Sequence, residues 1–120
     1  MAAWLAPRLP QGARLIASPA LRSQQTARAL REPDLIDARI APEADLDEHL
    51  AAIGSPVADA DRALVLVGHQ PGLGRLVSHL LAGQPLDWRM RKGAIWWLAT
   101  RARDGHARFW LRAVIDPDTL

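Results

Sequence analysis

Leu64–Gly74, which reads LVLVGHQPGLG, is the stretch that decides the fold. Its first four residues form an apolar run, which predicts a short strand buried on both faces, as in a parallel sheet. The chain then turns through glycines and Pro71 into an amphipathic helix. The apolar face of that helix comprises Leu73, Leu76, Val77, Leu80 and Leu81. A strand that enters a helix through such a turn is typical of an α/β fold.

His69 follows the predicted strand directly. Open α/β sheets bind ligands at the carboxyl ends of their strands, and the nearby helix N-terminus favours an anion. We therefore expect His69 in an anion-binding site, with a purely structural role as the alternative. The other three histidines have less informative positions: His49 and His79 are expected to be ordinary helix residues, and His106 to be solvated.

A second strand-to-helix junction lies upstream. Ala13–Ala17 predicts a strand, and Ser18 resembles an N-cap, with Pro19 at the first position of a helix that continues to about Glu32. Arg22 falls in the first turn of this helix, where a cation opposes the helix dipole and needs an anionic partner. Both junctions lie at the same level of the predicted sheet, so their side chains are expected to converge on one pocket.

The remaining patterns complete a β-α-α-β-α-β-β order. Asp45 and Glu48 form a capping-box pattern, opening a short helix that ends at Gly54. The other predicted elements are a helix tail at Met1–Leu5, a loop with a brief extended piece at Asp34–Ala41, a linker at 55–61, a strand at Gly93–Thr100, a turn at Asp104-Gly105 and a strand at Ala107–Val114. The last two strands are expected to form an antiparallel pair at one edge of an otherwise parallel sheet.

Length and composition bound the class of protein. The 120 residues (1–120) predict a single domain, and 49% hydrophobic residues suffice for a core. The absence of cysteine excludes disulfides and thiolate metal sites and fits a cytoplasmic protein. No stretch has the length of a membrane span or the pattern of a signal peptide.

Fourteen of the fifteen basic residues are arginine, but they are spread along the sequence, which argues against a nucleic-acid footprint. The five tryptophans are expected in the core, with a partner surface as the alternative.

Two blocks of the sequence together resemble signature motifs of the histidine phosphatase superfamily. The first is S-P-x-x-R-x-x-Q-T-A at Ser18–Ala27, and the second is V-G-H-x-P-x-L at Val67–Leu73. The chain is most similar to the small SixA-like phosphohistidine phosphatases, which have the phosphoglycerate mutase-like fold. The resemblance implies a three-layer α/β/α sandwich, with a mostly parallel sheet and an antiparallel strand pair at the C-terminus.

The resemblance also implies a chemistry. Such enzymes remove phosphate from phosphohistidine in a protein, through a covalent phosphohistidine intermediate and without metal or cofactor. Arg22 and His69 would be catalytic and would bind the phosphoryl oxygens, with Ser18 beside them in the phosphate site. The implied partner is a phosphorylated protein, such as a phosphohistidine-containing phosphorelay domain, and neither nucleic acid nor membrane.

One departure from the family affects this expectation. The family's nucleophile lies in an Arg-His-Gly or Arg-His-Ala motif after the first strand, and this chain has no Arg-His pair. We therefore expect the chain to be N-terminally truncated, with the first strand missing, and inactive as given. A phosphate- or phosphoprotein-binding remnant is one alternative, and a nucleotide- or sugar-phosphate-binding α/β domain is another. Glu43, Asp45 and Glu48 lie where larger relatives carry a proton donor, and none is assigned.

Overall fold

The structure is a computed structural model that describes residues 2–54 and 63–119. In these ranges the helices are α1 (Ala2–Leu5), α2 (Leu21–Leu30), α3 (Leu46–Ile53) and α4 (Gly72–Ala82). The strands are β1 (Arg14–Ala17), β2 (Leu35–Ile36), β3 (Leu64–Val67), β4 (Ile95–Arg103) and β5 (His106–Ile115). Short 3-10 turns occupy Ala6–Arg8, Ala38–Ile40 and Pro117–Thr119. The linker predicted at 55–61 lies outside the described residues.

β1 is the central strand of a parallel sheet with the order β2-β1-β3. Successive side chains of a strand point to opposite faces. Leu15 and Ala17 accordingly pack on Ala27 of α2, whereas Ile16 packs on the other face against Ile40 and Ala52. Helices therefore cover both faces of β1, and the predicted three-layer α/β architecture is confirmed.

β3 differs from the prediction that it is buried on both faces. All four of its residues are only half-buried. Among the described strands β3 pairs with β1 alone, so its other edge has no strand beside it. The apolar run was correctly predicted to be a parallel strand, but its place at the edge of the described sheet leaves it partly exposed.

The predicted antiparallel pair is confirmed as the β4–β5 hairpin. Asp104 and Gly105 have φ values of 52° and 76°, which suit the tight turn between two twisted strands. The hairpin forms a two-stranded sheet of its own, and no ladder within residues 2–54 and 63–119 joins it to the parallel strands. The expectation that it extends the parallel sheet is therefore not met in the described residues.

A bulge near Trp97 changes which side chains of the hairpin face inward. Trp97 pairs with Ala113 and Leu98 pairs with Leu111, so one residue of β5 is left over between them. Leu111 lies on the same face of β5 as Phe109 but is 44% exposed, so this face is not buried along its whole length. Trp110 is 49% exposed, and the other four tryptophans are only half-buried, so the expectation that they belong to a closed core is wrong.

Helix α2 begins and ends inside its predicted bounds. Its N-cap is Ala20, because residues 18–20 remain non-helical and Ser18 lies two residues upstream of the N-cap position. It ends at Leu30, because Arg31 adopts an extended conformation. The Arg31 guanidinium donates to the Ala13 carbonyl oxygen at 2.6 Å and to the Asp34 carboxylate at 2.8 Å. The bond to Asp34 is the main cause that lowers the pKa of this carboxyl to about 2.

Helices α3 and α4 follow the sequence closely. The capping box of α3 is complete: Asp45 accepts the Glu48 N–H at 2.8 Å, and Glu48 accepts the Asp45 N–H at 3.2 Å. Gly83, with φ of 76°, ends α4 in the left-handed conformation. At the N-terminus the predicted helix tail is a single turn whose Trp4 ring contacts Trp97 edge-on, with centroids 6.3 Å apart. No helix in the described ranges has the length and apolar character to span a bilayer.

Gly74→Ala is expected to destabilise the protein. A Cβ at this position would overlap the backbone carbonyl oxygen of Trp88, so the loop before β4 would have to move away from α4. The cost should be about 1–3 kcal/mol in the free energy of unfolding, measured by denaturant titration. Gly68→Ala is the control, because its nearest contact would be an ordinary 3.4 Å. Alanine stabilises a solvent-exposed helix relative to glycine. A Gly74→Ala variant that is more stable than the wild type would therefore contradict the close packing of Gly74 on the Trp88 carbonyl.

Candidate functional site

The ends of β1 and β3 meet at the carboxyl edge of the parallel sheet. Ala17 and Val67 are the last residues of the two strands and are partners in the ladder. The Ser18 N–H then donates to the Val67 carbonyl at 2.9 Å, continuing the pairing one residue beyond the strands. Parallel pairing in this register brings the two strand-to-helix junctions side by side, as the sequence predicted.

The His69 ring lies against two serine hydroxyls. Its Nε2 is 2.7 Å from Ser18 Oγ and 3.2 Å from Ser23 Oγ. Ser18 is fully buried, and its Oγ also accepts the Ala20 N–H at 3.2 Å. The ring nitrogen accepts from a serine hydroxyl in one neutral tautomer and donates to Ser18 Oγ in the other. The cluster therefore joins the end of β3 to the first turn of α2 through side chains.

Sequence reasoning predicted Ser18 and His69 but missed Ser23. Ser23 is buried and lies four residues before the buried Ala27, on the face of α2 that packs on the sheet. The available signal was the spacing: Ser23 lies four residues before the apolar Ala27, so both share the inward face of the helix. The Ser23 side chain is short, so its hydroxyl contacts only the nearest strand-to-helix junction, which is that of His69 after β3.

Arg22 lies at the second position of α2, next to Ser23 in the chain. Its side chain is exposed, and it forms no ion pair or hydrogen bond with any residue that the structure describes. A cation in the first turn of a helix opposes the dipole. Arg22 thus places an exposed positive charge in the first turn of α2, the same turn that carries Ser23 of the His69 cluster.

Burial is the main cause that lowers the pKa of His69. The charge of Glu43 acts in the opposite direction, and His49 adds to the lowering. The neutral imidazole is therefore favoured near pH 7, while the negative charge of Glu43 favours the protonated ring. Asp45 and Glu48, the other two carboxylates considered as proton donors, are engaged in the capping box of α3.

His49 is wrongly predicted to be an ordinary residue of a surface helix, because its side chain is 1% exposed. Its Nδ1 lies 2.7 Å from the Asp45 carbonyl oxygen, which holds the ring along α3. A Cβ on Gly72 would lie 2.6 Å from His49 Cε1, so only glycine allows this approach. The imidazole therefore fixes how α3 packs on the first turn of α4, directly after His69.

A second contact fixes the other side of this turn. Gln70 Oε1 accepts the Gly74 N–H at 2.8 Å, and Gln70 Nε2 donates to the Trp88 carbonyl at 3.1 Å. The side chain that follows His69 thus ties α4 to the loop before β4. The turn that follows His69 is therefore fixed on one side by His49, which packs on Gly72, and on the other by the hydrogen bonds of Gln70.

The arrangement offers hydrogen-bond donors and positive charge, which suit an oxyanion. Two hydroxyls, an imidazole nitrogen and a nearby guanidinium are the groups that bind phosphoryl oxygens. No group of three or more histidine, aspartate or glutamate side chains that could hold a metal ion occurs in the described part of the chain. A cleft of about 370 Å³ lies elsewhere, between the 3-10 turn Ala6–Arg8 and the end of α2, and His69 does not line it.

Comparison with known proteins identifies the fold. No family model matches the sequence, and no curated protein matches it. Among solved structures, the fold of this chain is similar to the structure of the protein histidine phosphatase SixA complexed with tungstate. The TM-score is 0.72 and the sequence identity is 21%. The similarity covers 98% of this chain and 77% of the SixA chain. The chain therefore has a SixA-like histidine phosphatase fold, as the sequence motifs predicted.

Gly72→Ala is expected to lower the free energy of unfolding by about 1–3 kcal/mol, because the new methyl group would displace the His49 ring. In the double variant with His49→Ala the methyl group has space, so the two changes should couple favourably in a double-mutant cycle measured by denaturant unfolding. If the effects of the two single changes on the free energy of unfolding simply add, the contact between Gly72 and the His49 ring is contradicted.

The stability of the protein should depend on pH through His69. Since burial lowers its pKa below the 6.5 of the unfolded chain, the neutral ring contributes stability above that value, which is lost as the pH falls toward the folded pKa. His69→Gln should therefore lose less stability than the wild type between neutral and mildly acidic pH. His106→Gln, an exposed position at the hairpin turn, is the control. Equal losses in wild type and His69→Gln would show that folding does not lower the pKa of His69.

Proposed function

We propose that this chain, which has the SixA-like histidine phosphatase fold, supplies the phosphate-binding groups of a phosphatase that acts on phosphohistidine in a protein. The observation that carries the proposal is the 2.7 Å contact between His69 Nε2 and Ser18 Oγ at the carboxyl ends of two parallel strands. Arg22, in the first turn of α2, has no ion-pair partner among the residues that the structure describes. The two sequence motifs and the fold support the same assignment. The substrate class comes from the SixA protein, which is described as a protein histidine phosphatase.

Each residue has a role that follows from its chemistry. Arg22 binds the phosphoryl group through two parallel N–H bonds, and its fixed charge offsets that of the oxygens. His69 donates a ring N–H to another oxygen, and Ser18 holds the ring in place. Phosphoryl transfer depends mainly on positioning and on stabilising charge, so these groups supply most of what the step requires without a metal.

In the proposed reaction the phosphoryl group leaves the imidazole nitrogen of the substrate histidine and bonds to an imidazole nitrogen of the enzyme. The substrate histidine departs neutral after taking a proton. Water then attacks the phosphorus, which releases inorganic phosphate and restores the enzyme's histidine. His69 is assigned to phosphate binding, so the nucleophile must be a different histidine.

We assign the nucleophile to a segment outside these 120 residues, in keeping with the absence of an Arg-His pair. One edge of β3 pairs with no strand among the described residues, and this supports the assignment, because a further parallel strand paired there would end beside His69. The chain by itself is then a binding half-site, which would hold an oxyanion without turning over substrate. The same absence favours the second candidate function, a phosphate- or phosphoprotein-binding remnant.

Arg22→Ala should weaken the binding of tungstate or inorganic phosphate about tenfold or more, since one charge-assisted contact is lost. Isothermal titration calorimetry measures this change. Arg14→Ala is the matched control, because Arg14 is also exposed but lies at the opposite end of β1. The melting temperature should change little in both variants.

The outcome that would contradict the assignment is equal weakening in the two variants, which would indicate a diffuse charge effect. Unfolding of Arg22→Ala with anion binding retained would contradict it as well. Turnover of a phosphohistidine substrate by the 120-residue chain would exclude the proposed external nucleophile.

A further inference from the structure

The β4–β5 hairpin carries a cluster of basic side chains that the linear sequence does not reveal. Its register places Arg101 opposite Arg108 and Arg103 opposite His106. Alternate residues of a strand share a face, so Trp110 lies on the same side as these four. All five side chains are exposed. We call this surface, formed by the five residues, the basic hairpin face.

The arginines of this face have no anionic partner among residues 2–54 and 63–119. Within the described residues neither Arg101, Arg103 nor Arg108 forms an ion pair, and Asp104 at the turn bonds to none of them. Of the ten other arginines that the structure describes, five form ion pairs with carboxylates: Arg28, Arg31, Arg39, Arg75 and Arg91. Like charges directly opposite each other destabilise a sheet. The fold itself therefore gains nothing from this placement.

The face is concave and includes an exposed aromatic ring. A cleft of about 450 Å³ is lined by Arg101, Arg103, Asp104, His106, Arg108 and Trp110. Trp110 is 49% exposed. Tryptophan and arginine are the residue types that contribute most to protein–protein binding, through large contact area and bidentate bonds to carboxylates. This composition is typical of a docking surface.

We propose that the basic hairpin face binds an acidic segment of a protein partner. Its carboxylates would pair with the arginine guanidinium groups, and an apolar side chain of the same segment would pack on Trp110. A protein is favoured over nucleic acid because the patch holds only three arginines, whereas tight DNA binding usually neutralises about six to ten phosphates. The net charge of only +2 likewise gives no extended basic track.

This surface is separate from the His69 cluster. None of Ser18, Arg22, Ser23 and His69 lines the cleft, and the hairpin forms its own sheet. Docking therefore does not depend on whether the proposed phosphatase function is correct. If both are correct, the acidic segment belongs to the phosphorylated protein or to a protein bound to it, and loss of the face leaves phosphate binding at Arg22 intact.

The test measures binding of a fluorescein-labelled peptide of alternating glutamate and glycine with one central phenylalanine, by fluorescence anisotropy. The double variant Arg101→Gln/Arg108→Gln should bind at least about tenfold more weakly than the wild type, because two carboxylate contacts are lost. The control Arg89→Gln/Lys92→Gln removes the same charge from exposed positions outside the hairpin and should bind almost as the wild type does. Relief of like-charge repulsion should leave the hairpin variant at least as thermostable as the wild type.

Several results would overturn the proposal. These are the absence of saturable peptide binding by the wild type, equal weakening in the hairpin and control variants, or a lower melting temperature of the hairpin variant, which would show a structural role. Single-stranded DNA and vesicles containing phosphatidylserine are tested at the same ionic strength. Tighter binding of either one through Arg101 and Arg108 would assign the face to nucleic acid or membrane instead.

Discussion

The parallel pairing of β1 with β3 is the constraint on which the candidate site depends. It places Ser18 and His69 at adjacent strand ends, where the backbone bond from Ser18 to Val67 continues the ladder. The side chains then complete the link, with Ser18 Oγ 2.7 Å from His69 Nε2. A shift of one residue in this register would point the side chains to opposite faces and separate the pair. The position of the imidazole thus follows from backbone hydrogen bonds as much as from its own contacts.

The turn after His69 is held in place by close packing that leaves no space for larger residues. His49 occupies the space that a Cβ of Gly72 would need, and the Trp88 carbonyl occupies that of Gly74. These contacts bring α3 and the loop before β4 against the first turn of α4. Rigid support of this kind is what an oxyanion site requires, because donors that are already oriented do not have to reorganise when charge arrives.

Local patterns in the sequence predicted most of the fold. The apolar run of β3, the capping box of α3 and the Asp104-Gly105 turn are signals that a few neighbouring residues carry, and each is confirmed. The predictions that were wrong depend on residues distant in the chain. Burial of β3 depends on which strands flank it, and burial of His49 depends on how α3 packs on α4. The arginines of the hairpin are likewise separated in sequence and meet only through strand register. In the site, His69 was predicted from its place after a strand, and Ser18 from the resemblance of its motif to the family. Ser23 was missed because its importance depends on a contact between elements.

A titration of the ¹⁵N-labelled chain with tungstate, followed by amide chemical shifts, tests the oxyanion site most directly. If Ser18, Arg22 and His69 form this site, the saturable shifts will concentrate at residues 18–23 and 68–72, the two strand-to-helix junctions. Residues 101–110 of the hairpin will then change little at moderate ionic strength. Shifts confined to the hairpin, or no saturable shift at the two junctions, would show that Ser18, Arg22 and His69 do not form an oxyanion site.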